Sequence, residues 1–193
     1  MQIDVYTLNV NTHKNNIDMT TTKWVIDPTH SEIQFKVKHL VISTVTGAFN
    51  TFEGGVETTS EDFDGATVHF SADVDSIDTK QEQRDQHLKS ADFFDAENHP
   101  KLSFTGKLAK KGGDNYNLTG SLTVKGVTKT VDFAAEFGGN MTDFYGNNKS
   151  GFEISGKINR KEFGLEWSAV TEAGGVVVGD EVKLIANVQV VRQ

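Results

Sequence analysis

The chain has 193 residues, enough for one domain with a full hydrophobic core that needs neither disulfides nor a structural metal. It contains no cysteine, which excludes thiol nucleophiles, disulfide frameworks and cysteine-ligated metal centres. With 27 acidic and 19 basic residues the formal charge is -8, which argues against nucleic-acid backbones and anionic membranes as partners.

Residues 1–22 lack the basic start, apolar stretch and small-residue cleavage site of a secretory signal. They are expected to form a disordered or loosely packed extension, ahead of one domain over residues 23–193, in a cytoplasmic protein. No apolar run approaches the roughly 18 residues of a spanning helix, so no integral membrane association is expected.

From Trp24 onward the dominant signal is a period of two. After a short segment at Trp24–Ile26, Ile33, Phe35, Val37 and His39 share one face of a strand, with Glu32, Gln34, Lys36 and Lys38 on the other. A strand around Thr46–Phe52 follows, then a dry face of Ala66, Val68, Phe70, Ala72 and Val74. Thr79–Phe94 breaks the alternation and reads as a short helix plus turn. Leu88 and Ala91 mark its apolar stripe, which also carries Arg84 and His87. Those two polar groups need partners, because burying them bare is costly.

The alternation resumes with Leu102 and Phe104, then Tyr116, Leu118, Leu122 and Val124. Lys125-Gly126 reads as a two-residue hairpin leading into Val127, Val131, Phe133, Ala135 and Phe137. Phe152, Ile154 and Ile158 form another row. Asn159–Gly179 is expected to be a long loop with a helical turn, and Gly179-Asp180 to turn into a last strand with Val182, Leu184, Ala186, Val188 and Val190 inside. The total is about nine or ten antiparallel strands, each with one dry face. A closed barrel satisfies the pattern, and so does a two-sheet sandwich.

Catalytic motifs are sparse. No two of the six histidines stand at ligand spacing, and there is neither a nucleophile elbow nor a phosphate-binding loop. An enzyme would have to assemble His39, Arg84 and His87 from distant positions. The phenylalanines either fill a solid core or line a hollow one. Small residues such as Gly120, Gly156, Ala135 and Ala186 either leave room for a guest or relieve crowding.

The run Trp24-x-Ile26-Asp27-Pro28-x-His30-Ser31-x-Ile33-x-Phe35-x-Val37-x-His39 resembles the opening of the YceI-like family, the lipocalin-like polyisoprenoid-binding proteins. The resemblance continues through Gly47-x-Phe49-x-x-Phe52-x-Gly54, Arg84-Asp85-x-His87-Leu88, Pro100-x-Leu102-x-Phe104 and Asn159-Arg160-x-x-Phe163-Gly164-Leu165. It ends in Val178-Gly179-Asp180-Glu181-Val182. It implies an all-β fold: an extended lipocalin-like antiparallel barrel, with one short helix between strands and a long loop before the last strand.

The implied function is non-catalytic binding of a long isoprenoid or similar lipid, for carriage, storage or sequestration, with no cofactor. The alternatives are a solid-cored interaction or stress-response module and a His/Arg-dependent enzyme. Expected pocket-wall residues are Phe35, Val37, Phe70, Phe104, Phe133, Phe152 and Trp167, the last either as wall or as plug at one barrel end. His39, Arg84 and His87 are expected either at a ligand head group or in internal networks, with Asp78, Asp85 and Asp92 as the partners available to Arg84 and His87. A homodimer is compatible with the resemblance, although no sequence patch commits to one.

Overall fold

The computed structural model describes residues 21–60, 62–170 and 177–193. The expected N-terminal extension therefore lies outside the described residues, except for Thr21 and Thr22; Thr22 is already in strand.

The strands are β1 (Thr22–Ile26), β2 (Glu32–His39), β3 (Ser43–Phe49), β4 (Phe52–Thr58), β5 (Thr67–Asp73) and β6 (Ile77–Asp78), followed by helix α1 (Glu82–Lys89). After it come β7 (Lys101–Gly112), β8 (Asn115–Val124), β9 (Val127–Thr142), β10 (Asn148–Asn159) and β11 (Val178–Arg192). All pairings are antiparallel and belong to one 11-stranded sheet, which β1 and β11 close.

Three pairs of segments act as single interrupted staves. β11 pairs with β1 at Ile26↔Val190 and with β2 from Asn187↔Glu32 to Val178↔His39, so β1 and β2 are one stave broken at Asp27-Pro28. Proline has no N–H for the ladder, and Asp27 caps the 3-10 turn Pro28–His30 that follows. β3 with β4, and β5 with β6, are joined in the same way by Asn50-Thr51 and the 3-10 turn Val74–Ser76. The result is an 8-strand up-and-down barrel, the closed alternative of the two that alternation allows.

One barrel end is shut by aromatic side chains. Phe63, on the β4–β5 loop and 1% exposed, places its ring 5.2 Å from Trp24, 5.8 Å from Phe137 and 5.1 Å from Phe152. The Tyr116 hydroxyl donates to the Asp62 carbonyl beneath it. This is the floor. The opposite end carries the β2–β3 turn, α1 and the β10–β11 connection, and forms the mouth.

The helix is shorter than the sequence suggests. The Gln81 side chain caps its start by accepting from the Arg84 N–H, and Ser90 ends it. Ala91 is consequently outside the helix and exposed, not part of a buried stripe; Leu88 alone of that pair packs on the core. The Lys125-Gly126 hairpin forms as expected, with φ of 47° and 74°. β4 was not anticipated as a separate strand, because Gly54-Gly55 interrupts its apolar alternation.

Candidate functional site

The barrel is hollow. A cavity of about 510 Å³ runs from the mouth along the inner faces of β2, β5, β7, β8, β10 and β11. That size is typical of pockets for small apolar ligands.

The phenylalanines leave the space open because their rings sit over glycines of the wall. A Cβ at Gly47 would stand 2.6 Å from Phe35 Cε1, and one at Gly120 2.7 Å from Phe104 Cζ. At Gly156 it would stand 2.9 Å from Phe133 Cε1. Gly120 and Gly156 therefore receive rings, and the room they free appears in the middle of the barrel.

Every pocket residue anticipated from sequence borders this one cavity: Phe35, Val37, Phe70, Phe104, Phe133, Phe152 and Trp167. Cross-strand pairing puts Phe70 directly opposite Phe104, and the Phe104 and Phe133 rings are 5.7 Å apart. β11 adds an aliphatic side to the wall, with Val182, Leu184, Ala186, Val188 and Val190. Such a surface binds by removing apolar area from water, with no directional demand along its length.

Polar groups gather at the mouth. His39 ends β2 at the rim, and its ring makes no hydrogen bond among the described residues. Arg84 donates from Nε to Thr79 Oγ1 at 2.7 Å and from Nη2 to the Thr79 carbonyl at 2.8 Å. Asp85 accepts from the Thr79 N–H at 2.9 Å and from its hydroxyl, so one threonine fixes both Arg84 and Asp85. Arg84 Nη1 has no protein partner among the described residues. His87 pairs with Asp92 at 3.2 Å. Its ring meets Phe93 and Trp167 edge-on, at 5.1 and 4.9 Å. Trp167 is therefore both wall and partial cover of the mouth.

Arg160 belongs to the Asn159-Arg160-x-x-Phe163-Gly164-Leu165 motif but to no alternating row. It is 3% exposed, borders the cavity and holds the β10–β11 connection together. Its guanidinium donates to the carbonyls of Gly179 at 2.9 Å, Trp167 at 2.8 Å, Val178 at 3.3 Å and Leu165, and to the Asp180 carboxylate at 3.3 Å. Burial pulls its pKa down from the ordinary arginine value, and the Asp180 carboxylate opposes that shift. The signal that could have found it is an arginine directly after a strand and just before a buried Phe-Gly-Leu turn. Phe63, the floor, was missed too, because it lies in a loop outside any periodic pattern.

Among the described residues no three His, Asp or Glu side chains are grouped to hold a metal ion. No described helix is long and apolar enough to cross a membrane.

The same barrel recurs among known proteins. The chain is 37% identical over 169 residues to a UPF0312 protein of Staphylococcus epidermidis, covering 87% of this chain and 96% of the relative. A crystal structure of the Campylobacter jejuni YceI protein superposes with a TM-score of 0.70 at 30% identity, covering 81% of this chain and 90% of that one. A polyisoprenoid binding domain from Saccharophagus degradans superposes with a TM-score of 0.64 at 14% identity, covering 88% of this chain and 98% of that one, which speaks for the fold alone. The YceI-like domain itself matches residues 24–190, from within the first strand to within the last, and the chain belongs to that family.

Proposed function

We propose that the protein binds a long-chain isoprenoid or a similar amphiphilic lipid, without chemical change, for carriage, storage or sequestration. The observation that carries this reading is the apolar cavity of about 510 Å³, open at one end and closed by aromatic rings at the other. Its polar groups lie at the mouth, so a guest enters tail first and leaves its head beside His39, Arg84 and His87. Arg84 Nη1, which has no partner among the described residues, can donate to a head-group oxygen. Each roughly 55 Å² of chain removed from water is worth about tenfold in affinity, so a long tail binds tightly even after ordering costs. The polyisoprenoid-binding character of the Saccharophagus degradans barrel supports the same guest class.

Mass spectrometry of an organic extract of the purified protein tests the proposal. The expected result is a co-purifying prenyl-type lipid that a Phe70→Arg variant lacks. Repeated absence of lipid, together with no uptake of an added prenyl alcohol, refutes it.

A further inference from the structure

The β2–β3 turn carries an exposed aliphatic tip at the mouth of the barrel, whereas the exposed Phe144 and Tyr145 lie in the β9–β10 turn at the floor end. Leu40, Val41 and Ile42 form its tip, and all three are exposed, Ile42 at 89%. Leu40 and Val41 hold positive φ, 50° and 65°. For a β-branched residue that backbone is unfavourable, and glycine or asparagine would take it more readily. The strain thus maintains a tip that pushes bare aliphatic side chains into solvent. Val170, 72% exposed, extends the patch: the Val177 N–H donates to the Ala169 carbonyl and the Leu40 N–H to the Val177 carbonyl. Val177 in turn lines the cavity, as do His39 and Val45 on either side of the tip. Apolar surface therefore runs from the tip over the rim into the barrel.

Charge beside the tip runs against that of the whole chain. Lys36 and Lys183 sit directly opposite each other across β2 and β11, an unfavourable pairing on its own, and Lys38 lies between them and the tip. None of the three makes an ion pair among the described residues. The neighbouring carboxylates are engaged elsewhere, Asp180 with Arg160 and Lys161 and Glu181 with Lys157. The acidic residues Glu82 and Asp85 belong to α1, and Asp85 is tied to Thr79.

We propose that the Leu40–Ile42 tip and the Lys36/Lys38/Lys183 cluster form a docking surface for an anionic lipid bilayer. The tip enters the acyl boundary and the lysines lie over phosphate head groups, with the cavity mouth held against the membrane. The net charge of -8 does not forbid this, because screening limits its reach to about 10 Å while the lysines lie at the contact. The purpose of the contact, passing a chain between bilayer and barrel, rests on the lipid-binding reading; the contact itself does not.

Co-sedimentation with phosphatidylcholine vesicles, with and without phosphatidylglycerol, tests it. The wild-type protein is expected to bind the anionic vesicles on the order of a hundredfold more tightly, at about fivefold per lysine. V41D/I42D should lose more than tenfold of that binding, and K36Q/K38Q/K183Q should lose the preference for anionic lipid. None of these residues lines the cavity, so uptake of dispersed farnesol should be unchanged in both variants. Should farnesol uptake fail in every variant, the carrier reading falls while the sedimentation result still decides the docking surface. No sedimentation of the wild type, or equal sedimentation of V41D/I42D, overturns the proposal. So does a wild-type dimer that V41D/I42D dissociates, which would assign the tip to a second copy of the chain.

Discussion

Gly156→Ala should fill the barrel without unfolding it. The added methyl would stand 2.9 Å from Phe133 Cε1 and closer still to Cδ1, with the Asp132 carbonyl of the same strand 3.2 Å away. The backbone cannot retreat, so the Phe133 ring must swing off the wall into the cavity. Overpacking of this kind costs about 1–3 kcal/mol, offset in part by about 0.5–1 kcal/mol from replacing glycine within a strand. A net loss of about 1 kcal/mol lowers Tm by roughly 2–4 °C in a chain of this size. The effect on binding is larger. A phenylalanine buries about 150–250 Å². Turning half of that into space the guest occupies removes roughly 100 Å² of contact, about 2.5 kcal/mol or seventyfold in Kd. Displacement of a fluorescent prenyl analogue measures the change. Gly151→Ala is the control on the same strand, because a Cβ there meets nothing within 4 Å. Adding Phe133→Leu to Gly156→Ala should restore most of the affinity. Equal Kd values for Gly156→Ala and Gly151→Ala, both folded, would refute the account of rings parked on glycines.

Phe70→Arg puts a cation into the cavity opposite Phe104 and should reduce prenyl uptake by more than a hundredfold in a folded protein; unchanged uptake removes Phe70 from the wall. Arg160→Met strands four carbonyl acceptors, one buried and three part-buried, so about 3–5 kcal/mol should be lost and calorimetric Tm should fall by roughly 6–20 °C; an unchanged Tm would mean the β10–β11 connection is held by other contacts. The Asp27 carboxyl is held at about 2, first by hydrogen bonds from Thr29 and then by His30, against the desolvation that opposes the shift. Its folded value lies below its ordinary one, so its contribution, about 1–2 kcal/mol, is present above pH 4 and is lost as pH falls toward 2. Asp27→Asn should flatten that part of the acid-unfolding curve; an unchanged curve would show that the clamp does not contribute.

The dry faces were legible because alternation along β2, β5, β8, β9 and β11 reports directly which side of each strand is dry, whereas the barrel itself was implied by the family resemblance. Alternation does not report what the dry faces meet, so sandwich and barrel, or solid and hollow, look alike along any one strand. The information that separates hollow from solid lies across strands, in pairs such as Phe35 with Gly47, which become visible only when the register is known. Arg84 and His87 were legible as polar residues near the core, but their partners were not: Thr79 is brought to Arg84 by the turn before α1, and Trp167 to His87 by the β10–β11 connection. Phe63 stands in a loop and Arg160 opens a short 3-10 turn, where neither the α-helical nor the strand period applies.

A crystal structure of the protein grown with geranylgeraniol tests the central claim most directly. Continuous density is expected inside the barrel, from the rim at His39 and Trp167 past Phe104 and Phe133 toward Phe152, with the hydroxyl at the mouth. A collapsed interior, or a chain lying only on the outer surface, would contradict it.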